Sequence, residues 1–408
     1  MIDVFSILKV GAEPLTVFGK IDEINHQIEL NYQIINAQSL ELREKLVYGP
    51  KFIIQLTDTQ AQLYSIYGCK ISCATMSIAQ SNVVVLNGSF DRLIREDCLE
   101  KLYEFILFSF VGIEQIFPLE KFTTELEDDE NMLKFVKEKR QTTVYKLNDE
   151  LECTIESRFH NAIKSDSLVN LDIQQEKVIR LTFSEAKTVD ELLLVLGQVK
   201  TYFEFILKQE IKISLIEFGS ISTKDFKNSI LLYDDLLQPK TYIKAVPQNP
   251  YRDSAGKLFC GMRGWIQLYD KYSDVIEIWE KTIYNTHVSK DDLFIWRCQA
   301  FELLCTIDPV VYSKATALKG PKQAHPNLKN FLSATNEIYG LFPNIDCHYF
   351  KDVKEVRDKL THNNPKKAVT EDQKYNSQML IDYFFTRTVM KTFQISGIPM
   401  YIALKPQS

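Results

Sequence analysis

The chain is predicted to be an α+β protein. A large β-rich N-terminal domain with a few helices, residues 1–247, precedes an all-α C-terminal bundle, residues 248–408. Three observations predict this. Length allows two or three domains at roughly 150 residues each. The first half alternates apolar and polar residues with period two, as in Ile28-Glu29-Leu30-Asn31-Tyr32, the pattern of half-buried antiparallel strands. Past Gln238-Pro239 and Pro247-Gln248-Asn249-Pro250 the spacing turns helical almost throughout.

Strands are expected at 15–21, 27–35, 51–57, 62–67 and 82–86, with Tyr67-Gly68 and Asn87-Gly88 as turns. A helix is read over 95–116. Further strands follow at 141–147, 151–156 and 177–183, then a helix over 189–208 with Ser184, Glu185 and Thr188 near its start. Strands at 211–218 and 229–233 complete the domain, and the acidic run 125–130 reads as a solvated loop. In the bundle, helices are expected at 262–284 (in one piece or two), 291–307, 329–341, 350–362 and 371–393. Ser289-Lys290-Asp291-Asp292 supplies a capping start, and Asp308-Pro309 a stop. The stripe Trp279, Ile283, Phe294, Cys298, Phe301 and Leu304 is expected to be core.

A net charge of -6 argues against a broad nucleic-acid-coating surface but leaves room for a local basic site. The eight cysteines are scattered, unlike a disulfide scaffold. The start Met1-Ile2-Asp3-Val4-Phe5 has no leader pattern. The most apolar run, 102–117, is broken by Glu104 and Glu114 and falls short of the roughly 20 residues of a bilayer span. A cytoplasmic chain that does not enter a membrane is expected.

Common catalytic signatures are absent: no Gly-x-Ser-x-Gly, no Walker A loop, no Gly-x-Gly-x-x-Gly and no His-Glu-x-x-His. Cys69-x3-Cys73 and Cys347-His348 lack further ligands at metal spacing, so neither a metal nor a cofactor is expected. What remains is Val356-Arg357-Asp358-Lys359-Leu360-Thr361-His362-Asn363-Asn364-Pro365. Asn363-Asn364-Pro365 should end a helix, because the residue before proline disfavours the α region. His362 then sits in the last turn, where the helix dipole favours an imidazolium. Arg357 and His362 lie about 140° apart on a regular helix, whereas Asp358 and His362 share a face, as do Arg357 and Thr361. A guanidinium for phosphate, an imidazole for proton transfer and an orienting carboxylate would then share one helix end. One imidazole is short of an acid–base pair, which a symmetric dimer would complete.

These residues resemble the signature of the HEPN superfamily: Arg, a polar residue, three more residues, then His. The arrangement of the whole chain is similar to ApeA-like proteins of bacterial anti-phage abortive-infection systems, which join a β-rich domain to a HEPN bundle. The resemblance implies a metal-independent endoribonuclease with Arg357 and His362 as catalytic pair and Asp358 between them, where the family more often has Asn. It also implies an earlier bundle helix at Trp296-Arg297-Cys298-Gln299-Ala300-Phe301-Glu302, with Glu302 in a supporting contact, as Thr361 and Asn363 would be. Lys359, Lys366 and Lys367 would meet RNA phosphates. The partners implied are RNA (tRNA among the candidates), a second copy bound through the C-terminal domain, and a phage-derived trigger at the N-terminal domain. Two other readings stand beside this one: a non-catalytic HEPN regulator that binds RNA or a partner, and a β-domain binding module using Tyr64, Tyr67 and Tyr145.

Overall fold

The structure, a computed structural model, describes residues 2–9, 14–33, 52–57, 62–77, 83–96, 102–117, 122–127, 132–137, 144–163, 171–221, 229–233, 255–284, 287–362, 369–396 and 404. The fold is α+β: antiparallel sheets dominate the N-terminal part and helices the C-terminal part. Contacts divide it into two units, residues 1–197 with 211–245, and residues 198–210 with 246–408.

The first unit contains strands β1 (Ile2–Lys9), β2 (Pro14–Asp22), β3 (Gln27–Gln33), β4 (Phe52–Thr57), β5 (Leu63–Ser77), β6 (Val83–Ser89), β7 (Arg92–Glu96) and β8 (Tyr103–Phe110). A short helix α1 (Ile113–Ile116) precedes β9 (Phe122–Glu127), β10 (Met132–Lys137), β11 (Val144–Lys146), β12 (Leu151–Ile163) and β13 (Leu171–Lys187). Helix α2 (Val189–Leu207) follows, then β14 (Ile213–Gly219) and β15 (Ser229–Tyr233). One sheet runs β1-β2-β3-β6-β5-β7-β15-β14-β8-β13-β12-β11 with β4 beside β5; β9 and β10 form a separate pair. The β2–β3 connection follows from Asp22, whose carboxylate accepts from the Ile24 and Asn25 amides, each at 3.1 Å, a side-chain mimic of a backbone turn. Alternation then sorts the two strands: Ile21, Ile28 and Leu30 are buried while Lys20 and Glu29 are exposed.

Several expectations fail here. Of the helix read over 95–116, the described residues form the end of β7, then β8 and the single turn α1; 97–101 lie outside the described residues. The run Tyr103–Phe110 is buried on both faces, and an apolar segment of that kind has no period to separate helix from strand. Tyr67-Gly68 and Asn87-Gly88 are not turns but lie within β5 and β6, where Gly88 pairs with Ile28 on one side and Ile71 on the other. The acidic run belongs in part to β9, whose register sets Glu125 against Lys134. β1 was not expected at all. Residues 34–35, 51, 128–130 and 141–143 lie outside the described residues.

The helical unit contains α3 (Ala255–Leu268), a 3-10 turn Asp270–Tyr272, α4 (Ser273–Tyr284), α5 (Lys290–Ile307), α6 (Pro309–Ala317), α7 (Leu328–Tyr339), α8 (His348–His362) and α9 (Glu371–Thr392). Ser289 caps α5 by accepting from the Asp292 amide, as its sequence implies. The stop at Asp308-Pro309 is also a start: Asp308 accepts from the Val310 and Val311 amides and opens α6, which the sequence reading missed.

The second half of α2 counts with this unit rather than with residues 1–197. Its aromatic residues account for this. Trp265, 1% exposed, meets Tyr202, Phe205 and Phe393 with ring centroids at 5.9, 5.4 and 4.9 Å, and its indole N–H donates to the Gln198 carbonyl at 3.1 Å. Of the expected core stripe, Trp279, Phe294, Cys298, Phe301 and Leu304 are buried and Ile283 is half-buried.

Candidate functional site

Helix α8 carries the Arg357–His362 motif. Phe350, Val353 and Val356 are buried at helical spacing, and Phe350 meets Phe384 of α9 edge to face at 5.3 Å. The opposite face is stitched by pairs four residues apart: His348–Asp352 at 3.6 Å, Lys351–Glu355 at 3.8 Å and Lys354–Asp358 at 2.5 Å. The described part of the helix runs to His362.

Arg357 donates through Nη2 to Oε1 of Glu302 on α5 at 2.9 Å. Its Nε lies 3.4 Å from Asp358 Oδ1 and has no hydrogen-bond acceptor. Asp358 is therefore held between Lys354 and Arg357; among the described residues it forms neither a hydrogen bond nor an ion pair with His362, contrary to the expectation from the four-residue spacing. The result is a chain of alternating charge, Lys354–Asp358–Arg357–Glu302, in which two cations meet two carboxylates. Burial pushes the Glu302 carboxyl above the usual carboxylate range; Arg357 opposes this and Asp358 adds to it. Cys298, one turn before Glu302, is buried and its thiol is pushed well up by that burial, so it offers no thiolate.

Thr361 and His362 are exposed, and His362 has no hydrogen bond or ion pair among the described residues. Lys359 is half-buried and likewise forms no ion pair there. Asn363, Lys366 and Lys367 lie outside the described residues. The structure thus joins Arg357, Asp358 and Glu302 directly and leaves His362 pointing to water at the helix end. Lys354 was missed, although its spacing to Asp358 was the available signal. Arginine keeps donors on Nη1 for an incoming anion.

Elsewhere, burial pushes the Cys69 thiol to about 12, and the Asp91 charge adds to it. Among the described residues no three His, Cys, Asp or Glu side chains gather as metal ligands, and no helix is long and apolar enough to cross a membrane. No family model, no curated protein and no solved structure matches the chain.

Proposed function

We propose that the helical unit is a HEPN-type endoribonuclease centred on Arg357 and His362, acting in an ApeA-like anti-phage system. The observation that carries this reading is the meeting of Arg357 with Glu302. They are the two residues, 55 positions apart, that the HEPN resemblance singles out on separate helices. The exposed imidazole of His362, without a hydrogen bond or ion pair among the described residues, supports it.

The chemistry needs only protein groups. A base removes the 2′-OH proton, O2′ attacks phosphorus, the P–O5′ bond breaks, and an acid protonates the departing oxygen. His362 fills one of these roles. Its counterpart comes from His362 of a second copy, since Arg357 and His362 face different directions on α8 and one chain holds one such imidazole. Arg357 stabilises the charge that develops on the phosphoryl oxygens. Its pairing with Glu302 and Asp358 must loosen for phosphate to approach.

That same pairing favours a second reading, in which the neutralised Arg357 never engages phosphate and the chain binds RNA or a partner without cutting. End-group chemistry separates the two. Purified chain incubated with tRNA in EDTA is expected to leave 2′,3′-cyclic phosphate and 5′-hydroxyl ends. RNA that is bound tightly and recovered intact, in extracts of infected cells as in buffer, sinks the nuclease reading.

A further inference from the structure

The helical unit also contains a cleft of about 360 Å³ between α2, α4, α5 and α9, a size that small-molecule ligands occupy. Phe205, Trp279 and Ile283 line it with apolar surface, the first two meeting edge to face at 5.3 Å. At its edge Lys208, held in the left-handed region at φ 52, pairs with Asp382 at 3.2 Å, so those two charges satisfy each other.

Two donors are left over. Arg297 of α5 is half-buried and makes neither an ion pair nor a hydrogen bond among the described residues. Thr386 of α9, only 3% exposed, lines the same cleft and its hydroxyl has no partner there either. An anion that enters the cleft would therefore meet a guanidinium and a hydroxyl whose donors are not already engaged. Of the two carboxylates in the lining, Asp382 is paired with Lys208 and Glu210 is exposed. Water screens it, whereas the half-buried guanidinium acts through a lower dielectric.

We propose that this cleft binds a small organic anion. Its carboxylate or phosphate-monoester head sits on Arg297 and Thr386, and its apolar body lies against Trp279 and Ile283. The site is separate from Arg357 and does not depend on the ribonuclease reading.

The test is titration of the full chain with phenylacetate and with phenyl phosphate, followed by tryptophan fluorescence and by melting temperature. Saturable binding of at least one is expected, with Tm raised by roughly 2 °C at ten times Kd. Binding of only one identifies the head group. Arg297→Gln, which breaks no hydrogen bond or ion pair among the described residues, weakens binding at least tenfold, and Thr386→Val weakens it severalfold. The proposal is overturned by any of three results: neither anion saturates the wild type; Arg297→Gln binds as tightly as wild type; or phenethylamine binds in their place. Inorganic phosphate binding as well as phenyl phosphate overturns the role of the apolar floor.

Discussion

Arg357 of α8 and Glu302 of α5 are joined at 2.9 Å with side chains 22% and 25% exposed, respectively. Neither is fully buried, so breaking the pair should cost less than the roughly 3–5 kcal/mol of a dry ion pair. Glu302→Ala is expected to lower stability by about 1–2 kcal/mol in urea denaturation. Glu302→Gln keeps an acceptor and removes the charge, and should bind RNA severalfold more tightly. Unchanged RNA affinity in Glu302→Gln would show that Arg357 does not meet phosphate.

Asp308 has two tasks. One carboxylate oxygen caps α6 through the Val310 amide at 2.9 Å and the Val311 amide at 3.2 Å, and the other accepts the Tyr339 hydroxyl at 2.9 Å. Asp308→Ala should cost about 2 kcal/mol, and Tyr339→Phe about 1 kcal/mol. Because they share a bond, the double variant should lose less than the sum, by 0.5 kcal/mol or more on the usual scale of coupled neighbours. Strict additivity would place the Tyr339 hydroxyl elsewhere.

Two helical glycines should answer alanine in opposite directions. A Cβ on Gly264 of α3 would lie 2.0 Å from the Phe393 carbonyl oxygen, whereas one on Gly197 of α2 meets nothing within 4 Å. Gly264→Ala is expected to destabilise by about 3 kcal/mol or more, because backbone cannot yield as a flexible side chain does. Gly197→Ala is expected to stabilise by about 0.5–1 kcal/mol. Thermal melts of both decide it; a tolerated Gly264→Ala would mean that α3 and Phe393 are not in contact.

Buried carboxyls set one arm of the pH profile. Glu280 accepts from the Thr201 hydroxyl at 2.6 Å, and burial raises its carboxyl above the ordinary value of 4.5, with the neighbouring Glu204 charge adding to the effect. A raised carboxyl means that the native state holds its proton longer than the unfolded chain. Its stabilising contribution is complete below 4.5 and is lost as pH rises through the native value. Glu280→Gln keeps the acceptor for Thr201 and should melt higher than wild type at pH 7, with the gap closing toward pH 4. A gap that widens on acidification contradicts this.

Legibility in the sequence followed the physics of each element. The strand at 229–233 was read to the bounds described, and α8 to His362, the last described residue of the helix, with Pro365 three residues on as the signal. β8 was misread because Tyr103–Phe110 is buried on both faces and carries no period. Gly68 and Gly88 misled because glycine marks sheet interiors with close neighbours as well as turns. At the site, the helix was legible from its apolar spacing. The partner of Arg357 was not, since Glu302 is 55 positions away and only the HEPN resemblance pointed to it. Spacing suggested Asp358 for His362, yet Asp358 had two cations closer, Lys354 one turn back and Arg357 beside it.

A shared cleft makes its own prediction. A hybrid of one wild-type and one His362→Ala subunit holds a single imidazole at the shared cleft and should cleave no faster than the His362→Ala homodimer. Half the wild-type rate or more in that hybrid, with exchange shown by mass, would confine each site to a single chain.

The most direct measurement is the single-turnover rate of tRNA cleavage in EDTA by the wild type, Arg357→Ala and His362→Ala. The account predicts cyclic-phosphate products from the wild type and a loss of at least about 100-fold in each variant, the usual worth of a proton-transfer group or an oxyanion donor. Cleavage at the wild-type rate in both variants, with folding intact, would contradict it.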